Sequence, residues 1–303
     1  MTLSRFFKAV ALLVVLGGIV YWYAPARLAA LVLMGRSPDC PFPQAIRAAD
    51  GLRRQIQLKD EILAASREVE KDPAGYHLWE TPKGRYWMPA GSDYVLPFNL
   101  AEQVRKIYGT GPTAVRSGDT VLDCGANVGV YTRDALEAGA KLVVAIEPAP
   151  ENIECLNRNF QAEIAAGRVV VYPKGVWDKD DFLTLNVDPN NSAADSFLIQ
   201  REGSHGVQKV PLTTIDKLVA ELKLDRVDLI KMDIEGAEPN ALRGARETLT
   251  RFKPRLTISA YHAPDHPRLI PETVKSMRAD YKVECGPCAE IEWGVRPDIL
   301  HFF

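Results

Sequence analysis

The sequence predicts an α/β fold in which a mostly parallel sheet carries helices on both faces. An apolar strand at residues 120–124 runs into a glycine turn and then a helix-compatible segment. A second apolar stretch, residues 142–146, ends in an acid about 20 residues after that turn. Further apolar stretches alternate with helical patterns towards the C-terminus, which is the rhythm of a doubly wound sheet.

The glycine turn is the first candidate binding element. Glycine lacks a Cβ, so it adopts positive φ readily and lets a ligand approach the backbone. Backbone N–H groups at the start of the following helix are expected to face whatever is bound. An ordinary strand-to-helix turn is the alternative interpretation. The predicted cofactor contacts in this turn are Gly125, Ala126, Asn127 and Gly129.

Two strand-end acids refine the type of ligand. The turn reads D-x-G-x-N-x-G, a spacing carried by class I S-adenosylmethionine methyltransferases, unlike the G-x-G-x-x-G of dinucleotide folds. Asp123 is suited to a ligand with an ammonium group at its methionine end. Glu147 is expected to accept hydrogen bonds from both ribose hydroxyls. The alternative for Glu147 is a solvated strand-end acid before a helix-starting proline.

A third strand at residues 168–172 leads to a predicted adenine contact. Ligands of open α/β sheets lie outside the carboxyl ends of the strands, so Val176 and Trp177 are placed to contact the ring. Asp178 is then available to its amino group. Packing of Trp177 on the rim of the sheet is an equally good interpretation.

Residues 182–187, 197–200 and 207–212 alternate like antiparallel strands and interrupt the helix–strand rhythm. They predict an inserted hairpin above the sheet. The polar turn at residues 188–195 is expected to be a plain surface loop rather than a cover over the site.

A group of acids follows the fourth strand, at residues 227–232. Asp233, Glu235 and Glu238 gather at its carboxyl end, where like charges raise each other's energy. A metal, a bound cation or acid–base chemistry would each explain the clustering. Capping of a helix N-terminus by Glu235 and Glu238 is the structural alternative.

The chain from about residue 93 to its end resembles the FkbM family of methyltransferases. The resemblance rests on VLDCGANVG (121–129), AIEP (145–148), VPLTTID (210–216) and DLIKMDIEGAE (228–238), of which the last is the most specific. It implies a Rossmann-like class I fold with a seven-stranded, mostly parallel sheet and an antiparallel terminal strand. It also implies S-adenosylmethionine as cofactor and O-methylation of a hydroxyl on a saccharide, glycolipid or other small metabolite.

The catalytic prediction places Asp233 and His262 at the ends of adjacent strands, flanking the transferred methyl. One of them takes the proton of the acceptor, and Glu235 is the reserve candidate. Members of the family commonly carry an acid shortly before this histidine, whereas Ser259, Ala260 and Tyr261 stand here. An unperturbed imidazole pKa near 6.5 suits a general base. No metal is predicted, because the sequence supplies no second and third ligand for Asp233.

The chain is expected to divide into three regions, at residues 1–36, 37–92 and 93–303. The first two precede the predicted catalytic domain and have a separate organisation. Residues 9–26 are almost wholly apolar and favour a single membrane anchor, with a cleaved signal peptide as the alternative. A proline-rich linker at 37–43, an amphipathic helix or helix pair at 44–71 and an aromatic hairpin at 76–88 follow. A further helix is expected at 99–108.

Composition and cysteines bound the environment. The formal net charge of −2 gives no electrostatic footprint for nucleic acid. Cytosolic supply of S-adenosylmethionine favours a cytosolic catalytic domain. CGPC at 285–288 copies a thioredoxin tetrapeptide without the required helix, and the other cysteines fit a reducing compartment. The rival functions are a non-catalytic nucleoside- or partner-binding module at the membrane and a metal-assisted O-methyltransferase; the acceptor and the oligomeric state cannot be derived from the sequence.

Overall fold

The fold centres on a seven-stranded sheet in a computed structural model of the chain. The structure describes residues 21–92, 94–187, 191–192, 196–198, 205–291 and 294–303, with isolated positions 7, 8, 11, 15, 17 and 18 before them. Within these residues the strand order of the main sheet is β12-β15-β11-β10-β4-β5-β6. Strand β15 runs antiparallel to both of its neighbours, as predicted.

The described elements are listed here with their bounds. The helices are α1 (Ala24–Leu33), α2 (Phe42–Ala45), α3 (Ala48–Ala64), α4 (Val95–Arg105), α5 (Val130–Glu137), α6 (Pro150–Asn159), α7 (Gln161–Ala165), α8 (Ile215–Glu221), α9 (Glu238–Arg243), α10 (Arg246–Phe252) and α11 (His266–Met277). The strands are β1 (Arg67–Asp72), β2 (Tyr76–Thr81), β3 (Gly84–Pro89), β4 (Thr120–Cys124), β5 (Leu142–Ile146), β6 (Val169–Tyr172), β7 (Gly175–Val176), β8 (Asp181–Val187), β9 (His205–Thr213), β10 (Leu229–Met232), β11 (Arg255–Ser259), β12 (Val283–Cys285), β13 (Cys288–Ile291), β14 (Gly294–Pro297) and β15 (Ile299–Phe302).

The central strands are buried along their whole length because helices cover both faces of the sheet. Every residue of β4, β10 and β11 is buried. In-register parallel pairing aligns the ends of β4, β5 and β10, with Cys124 opposite both Ile146 and Met232. The residues that follow these three strands therefore emerge at one edge, which is where the candidate site lies.

The predicted insertion is a small separate sheet with the order β7-β9-β8. Strands β8 and β9 pair antiparallel over most of their length, so the predicted hairpin is confirmed. The prediction of a strand at 197–200 is wrong at its first two residues, which form bends, while residues 199–200 lie outside the described part. Ser196 makes only an isolated bridge to Asn186.

The region before the main sheet differs from its prediction at one end. The helical segment ends at Ala64, and residues 67–72 form β1, because Arg67 to Asp72 pair antiparallel with β2. The predicted hairpin is confirmed as β2 and β3. Its aromatic side chains pack against helices α3 and α4, and Tyr86 is 1% exposed, so they serve the core. The helix predicted at 99–108 is observed as α4, which begins at Val95 and ends at Arg105.

The predicted membrane anchor, residues 9–26, lies partly outside the described residues and stays a prediction. Among the residues that the structure describes, no helix combines the length and the apolar character needed to cross a bilayer. The described end of the stretch enters α1, where Leu28 is fully buried against Cys40, Ala45 and Val295.

A hairpin that the sequence did not predict joins the two ends of the chain. Strands β13 and β14 stand between β12 and β15 in the chain and pair with each other. The backbone N–H of Val295 in β14 donates to the Arg36 carbonyl at 2.9 Å. The guanidinium of Arg27 pairs with Glu290 at 2.6 Å. This packing brings Cys40 and Cys288 together in a disulfide across 248 residues.

Cys40 is therefore paired, and the prediction that it is a free thiol of a reducing compartment is wrong. The sequence did not show the pairing, because the partner is distant in sequence and adjacent only in the fold. Disulfides persist in oxidising compartments, so this bond weighs against the predicted cytosolic placement. Cys124, Cys155 and Cys285 are free thiols.

We expect reduction of the disulfide to lower the free energy of unfolding by about 2 to 5 kcal/mol, because the open chain gains conformational freedom when unfolded. Urea denaturation with and without a reductant measures the change. Cys40→Ser should match the reduced wild type and become insensitive to reductant, while the control Cys285→Ser should keep the full response. Equal stability of the oxidised and reduced wild type would contradict this expectation.

Candidate functional site

Two adjoining cavities open at the carboxyl edge of the central strands. The larger has a volume of about 350 Å³ and the smaller about 50 Å³. Both are lined by Gly125, Asn127, Asp233 and Glu235, so the glycine turn and the acid-rich turn form the boundary between them. A cavity of about 350 Å³ lies within the range of small-molecule sites.

The glycine turn is shaped by its contact with the turn after β10. Gly125 has φ +77°, and a Cβ at this position would lie 1.9 Å from the carbonyl oxygen of Asp233. Asn127 also has positive φ, at 50°. The backbone N–H groups of Gly125 and Ala126 donate to the Ile146 carbonyl at 3.0 and 3.1 Å. These two N–H groups therefore bind the neighbouring strand, while the expectation for the N–H groups at the start of α5 stays a prediction.

Glu147 lines the smaller cavity at the end of β5, as the ribose prediction requires. Its Oε2 accepts from the Asn127 N–H at 2.8 Å, and its Oε1 accepts from the Ala149 N–H at 2.9 Å. The side chain is 4% exposed, and burial raises its pKa to about 7 although both N–H groups act in the opposite direction. Each oxygen keeps a lone pair with which a hydroxyl group is able to bond.

Asp123 differs from its prediction as a cofactor contact. It is fully buried, lines neither cavity, and accepts from Thr132 Oγ1 at 2.7 Å. Lys231 Nζ lies 3.2 Å from its other oxygen and donates to the Gly125 carbonyl at 2.8 Å. Because Lys231 pairs with Asp123 and also donates to the Gly125 carbonyl, this acid supports the glycine turn from beneath.

Asp233 stands between two tyrosines on the wall of the larger cavity. Tyr108 donates to its Oδ2 at 2.8 Å, and Tyr261 donates to its Oδ1 at 3.2 Å. Burial alone would raise the pKa of Asp233, but the charges of Lys231 and His262 outweigh burial and hold the pKa below its usual range. Asp233 is therefore ionised in the neutral range and is held in place by its hydroxyl partners.

His262 lies beneath Asp233 rather than in either cavity. Its Nε2 is 3.5 Å from Asp233 Oδ1 and 3.3 Å from Glu235 Oε1, and its side chain is 2% exposed. Burial lowers the pKa of His262, but Glu238, Glu235 and Asp233 outweigh burial and raise the pKa well above its usual range. The expectation of an unperturbed imidazole base is wrong, because three carboxylates surround the ring.

Glu235 and Glu238 take different positions although they are three residues apart. Glu235 lines both cavities and has φ +53°, next to Gly236 at φ +100°. Glu238 is fully buried, where its Oε1 accepts from the Ile234 N–H at 3.0 Å and lies 2.8 Å from His262 Nδ1. Glu238 is the first residue of α9, but its carboxylate accepts from Ile234 N–H, which precedes the helix, so the contacts described for it include no cap hydrogen bond.

The two residues predicted to contact adenine also separate. Val176 lines the smaller cavity from β7. Trp177 is absent from the lining of both cavities and packs against Leu212 and Ala237, so its side chain serves the rim of the sheet. Asp178 lies 3.7 Å from the Arg243 guanidinium.

The inserted segment covers the smaller cavity, contrary to the expectation of a plain surface loop. The carbonyl of Ser192 accepts from the side-chain amides of Asn127 and Asn152, each at 3.0 Å. Ser196 Oγ donates to the Glu235 carbonyl at 2.8 Å. Phe197 is part of the cavity lining.

Sequence reasoning missed the contribution of α4 and its neighbours to the larger cavity. Glu102 lines it opposite Asp233, and burial together with the Asp233 charge raises the pKa of Glu102 to about 8. Tyr94, Phe98 and Asn99 also come from this region. No motif marks these residues, because they reach the site only through the packing of α4 on α5.

The sequence profile described as "Methyltransferase FkbM domain" matches residues 123–283, just over half of the chain. The chain belongs to the FkbM methyltransferase family. The matched region contains the glycine turn, Glu147, the acid-rich turn and His262, which are the elements that meet at the two cavities. Its cofactor is S-adenosylmethionine, and the FkbM domain is a methyltransferase.

Curated relatives match part of this FkbM protein. The 2-O-methyltransferase NoeI of Sinorhizobium fredii is 28% identical over 151 residues, which cover 44% of this chain and 60% of that protein. Methyltransferase sdnD of Sordaria araneosa is 28% identical over 161 residues, covering 43% and 62%. The chain thus spans about three fifths of the length of these relatives.

Among solved structures, the methyltransferase FkbM of Methylobacillus flagellatus KT is 19% identical to this chain, with a TM-score of 0.49. The match covers 85% of this chain and 60% of that protein. A likeness of this degree is too weak to support an argument about function.

We expect the buried carboxyl of Glu147 to make folding stability fall as the pH rises from about 4.5 to about 7. The unfolded chain releases this proton near its usual pKa of 4.5, whereas the folded protein keeps it up to about 7. Ionisation in this window therefore favours the unfolded state, by at most about 3 kcal/mol.

Urea denaturation at pH 4.5, 5.5, 6.5 and 7.5 on the wild type and Glu147→Gln measures the effect. The difference in stability between the two proteins should change across the window and stay constant above it. A difference that is the same at all four pH values would contradict the raised pKa.

Proposed function

We propose that this protein transfers the methyl group of S-adenosylmethionine to a hydroxyl oxygen of a small acceptor, such as a saccharide. The observation that carries the proposal is the meeting of two cavities at Asp233 and Glu235, one beside Glu147 and one lined by acids and tyrosines. The name of NoeI, a 2-O-methyltransferase, supports oxygen as the accepting atom.

In this proposal the cofactor spans the two cavities. Glu147 would hold the ribose hydroxyls and Val176 the adenine, while Gly125, Asn127 and Asp233 would contact the sulfonium end. The smaller cavity, at about 50 Å³, has room for a few water molecules and not for a nucleoside. Entry of the cofactor therefore requires a shift of the covering segment that contains Ser192.

The acceptor occupies the larger cavity with its hydroxyl beside Asp233. Bound S-adenosylmethionine would supply the methyl group: its carbon–sulfur bond would break, with the electron pair left on sulfur, as the acceptor oxygen bonds to the methyl carbon. The hydroxyl proton passes to the carboxylate of Asp233, which the low pKa keeps ionised. Alignment of the oxygen with the sulfonium methyl contributes much of the rate.

Replacing Glu147 should weaken cofactor binding. Glu147→Ala removes the acceptor of the ribose hydroxyls, at a cost of roughly 1 to 3 kcal/mol, so the dissociation constant should rise by about tenfold or more. Calorimetric titration with S-adenosylmethionine measures it, and Glu284→Ala on an exposed strand position is the control. An unchanged affinity in a folded Glu147→Ala protein would refute the ribose assignment.

Replacing Asp233 should affect turnover more than binding. Asp233→Asn keeps the shape and one of the two oxygens that accept from the tyrosines but removes the carboxylate, so turnover should fall by about 10² or more at saturating cofactor. Transfer of labelled methyl from S-adenosylmethionine to a panel of saccharides and other hydroxyl compounds provides the assay. The same Asn variant should bind the cofactor within a few fold of wild type, and undiminished turnover would remove Asp233 from the mechanism.

A further inference from the structure

We propose that Asp233, Glu235 and His262 form a binding site for one divalent transition-metal ion at the floor of the larger cavity. The inference rests on the proposed function for the role of the ion, while binding of the ion is a separate property. Asp233 had no second and third ligand in the sequence pattern, and the fold supplies both.

The donor atoms have the spacing that a shared ion requires. One ligand atom from each of the three residues lies within 4.8 Å of the others. His262 Nε2 is 3.3 Å from Glu235 Oε1 and 3.5 Å from Asp233 Oδ1. Ligands held at about 2.1 Å from one ion stand roughly 3.0 to 3.4 Å apart, so a small movement completes the coordination.

The orientation of His262 is a second observation that points to an ion. Its Nδ1 lies 2.8 Å from Oε1 of Glu238, which directs Nε2 towards Asp233 and Glu235. This Nε2 is buried and has only long ion-pair contacts with the two carboxylate oxygens, at 3.3 and 3.5 Å, without a well-formed hydrogen bond to either. Histidine ligands of metals are commonly oriented in this way by a carboxylate on their other nitrogen.

The charges of the cluster also call for a cation. Asp233, Glu235 and Glu238 surround one imidazole, and the nearby Lys231 pairs with Asp123 and the Gly125 carbonyl. Even a protonated His262 offsets only one of three clustered carboxylates. A divalent ion would replace that proton between Nε2 and the two oxygens and neutralise the cluster more fully.

The donor set decides the kind of ion. One imidazole nitrogen with two carboxylates suits Mn²⁺, Fe²⁺ or Zn²⁺ better than Mg²⁺, which prefers oxygen ligands alone. Because Asp233 and Glu235 line the larger cavity, the remaining coordination positions face the space assigned to the acceptor. An ion there would bind the acceptor hydroxyl and make its proton easier to remove.

Titration of the chelator-treated full chain with Mn²⁺, followed by the electron paramagnetic resonance signal of free Mn²⁺, tests the site. The wild type should bind one ion per chain. Glu235→Gln and His262→Gln should each weaken binding at least tenfold, and Glu238→Gln about 10- to 100-fold through the orientation of His262. The controls His77→Gln and Glu272→Gln, which change the same residue types elsewhere, should bind as the wild type does.

A measurement on the wild type alone guards against misfolded variants. The electron spin echo of the bound Mn²⁺ should show coupling to an imidazole nitrogen. Absence of this coupling, absence of stoichiometric binding, or equal affinity in His262→Gln would overturn the site.

Titration with S-adenosylmethionine in the absence of metal separates the two proposals. Cofactor binding without Mn²⁺ binding would leave the methyltransferase proposal standing and remove the ion. Mn²⁺ binding without cofactor binding would support the ion site and contradict the methyltransferase proposal.

Discussion

The candidate site depends on a backbone contact between two turns that are distant in sequence. Gly125 approaches the carbonyl of Asp233 so closely that no side chain fits between them. This contact joins the end of β4 to the end of β10 and makes both turns walls of the same two cavities. Any larger residue at position 125 would push the glycine turn away from the acid-rich turn. The cofactor-binding and acid-bearing parts of the site therefore both depend on a glycine at this position.

Several acids are buried at this edge of the sheet because positively charged side chains lie among them. Lys231 stands beside Asp123 and raises the ionised fraction of Asp233, and His262 lies among Asp233, Glu235 and Glu238. The charges of Lys231 and His262 lower the pKa of Asp233, whereas Glu102, which lacks such a partner at hydrogen-bond distance among the described contacts, has a pKa of about 8. Buried acids at one site thus differ in protonation because their neighbours differ.

The sequence predicted those features that depend on neighbours along the chain. Glu147 and Asp233 follow apolar strands directly, and parallel pairing brings such strand ends to one edge whatever the helices do. Asp123 has the same kind of position, yet the sequence did not predict its pairing with Lys231 from the adjacent strand. The apolar neighbours of Lys231 in β10 give no sign of which buried group this lysine pairs with.

Other features come from packing between distant segments and leave no local pattern. Tyr108 and Glu102 reach the larger cavity from a helix and its C-terminal turn that precede the catalytic motifs. The imidazole of His262 was expected to keep its usual pKa, since the sequence does not show that Glu238 folds back onto it. The partner of Cys40 likewise depends on a hairpin whose alternation is too short to recognise.

The disulfide between Cys40 and Cys288 closes most of the chain into a covalent loop. Nearly all of the described catalytic elements, from α2 to β12, lie between the two cysteines. A protease that cuts one peptide bond anywhere in that interval produces two pieces that stay attached through sulfur. The oxidised enzyme therefore tolerates a nick in an exposed loop without losing either part, and separation of the fragments requires a thiol as well as a protease.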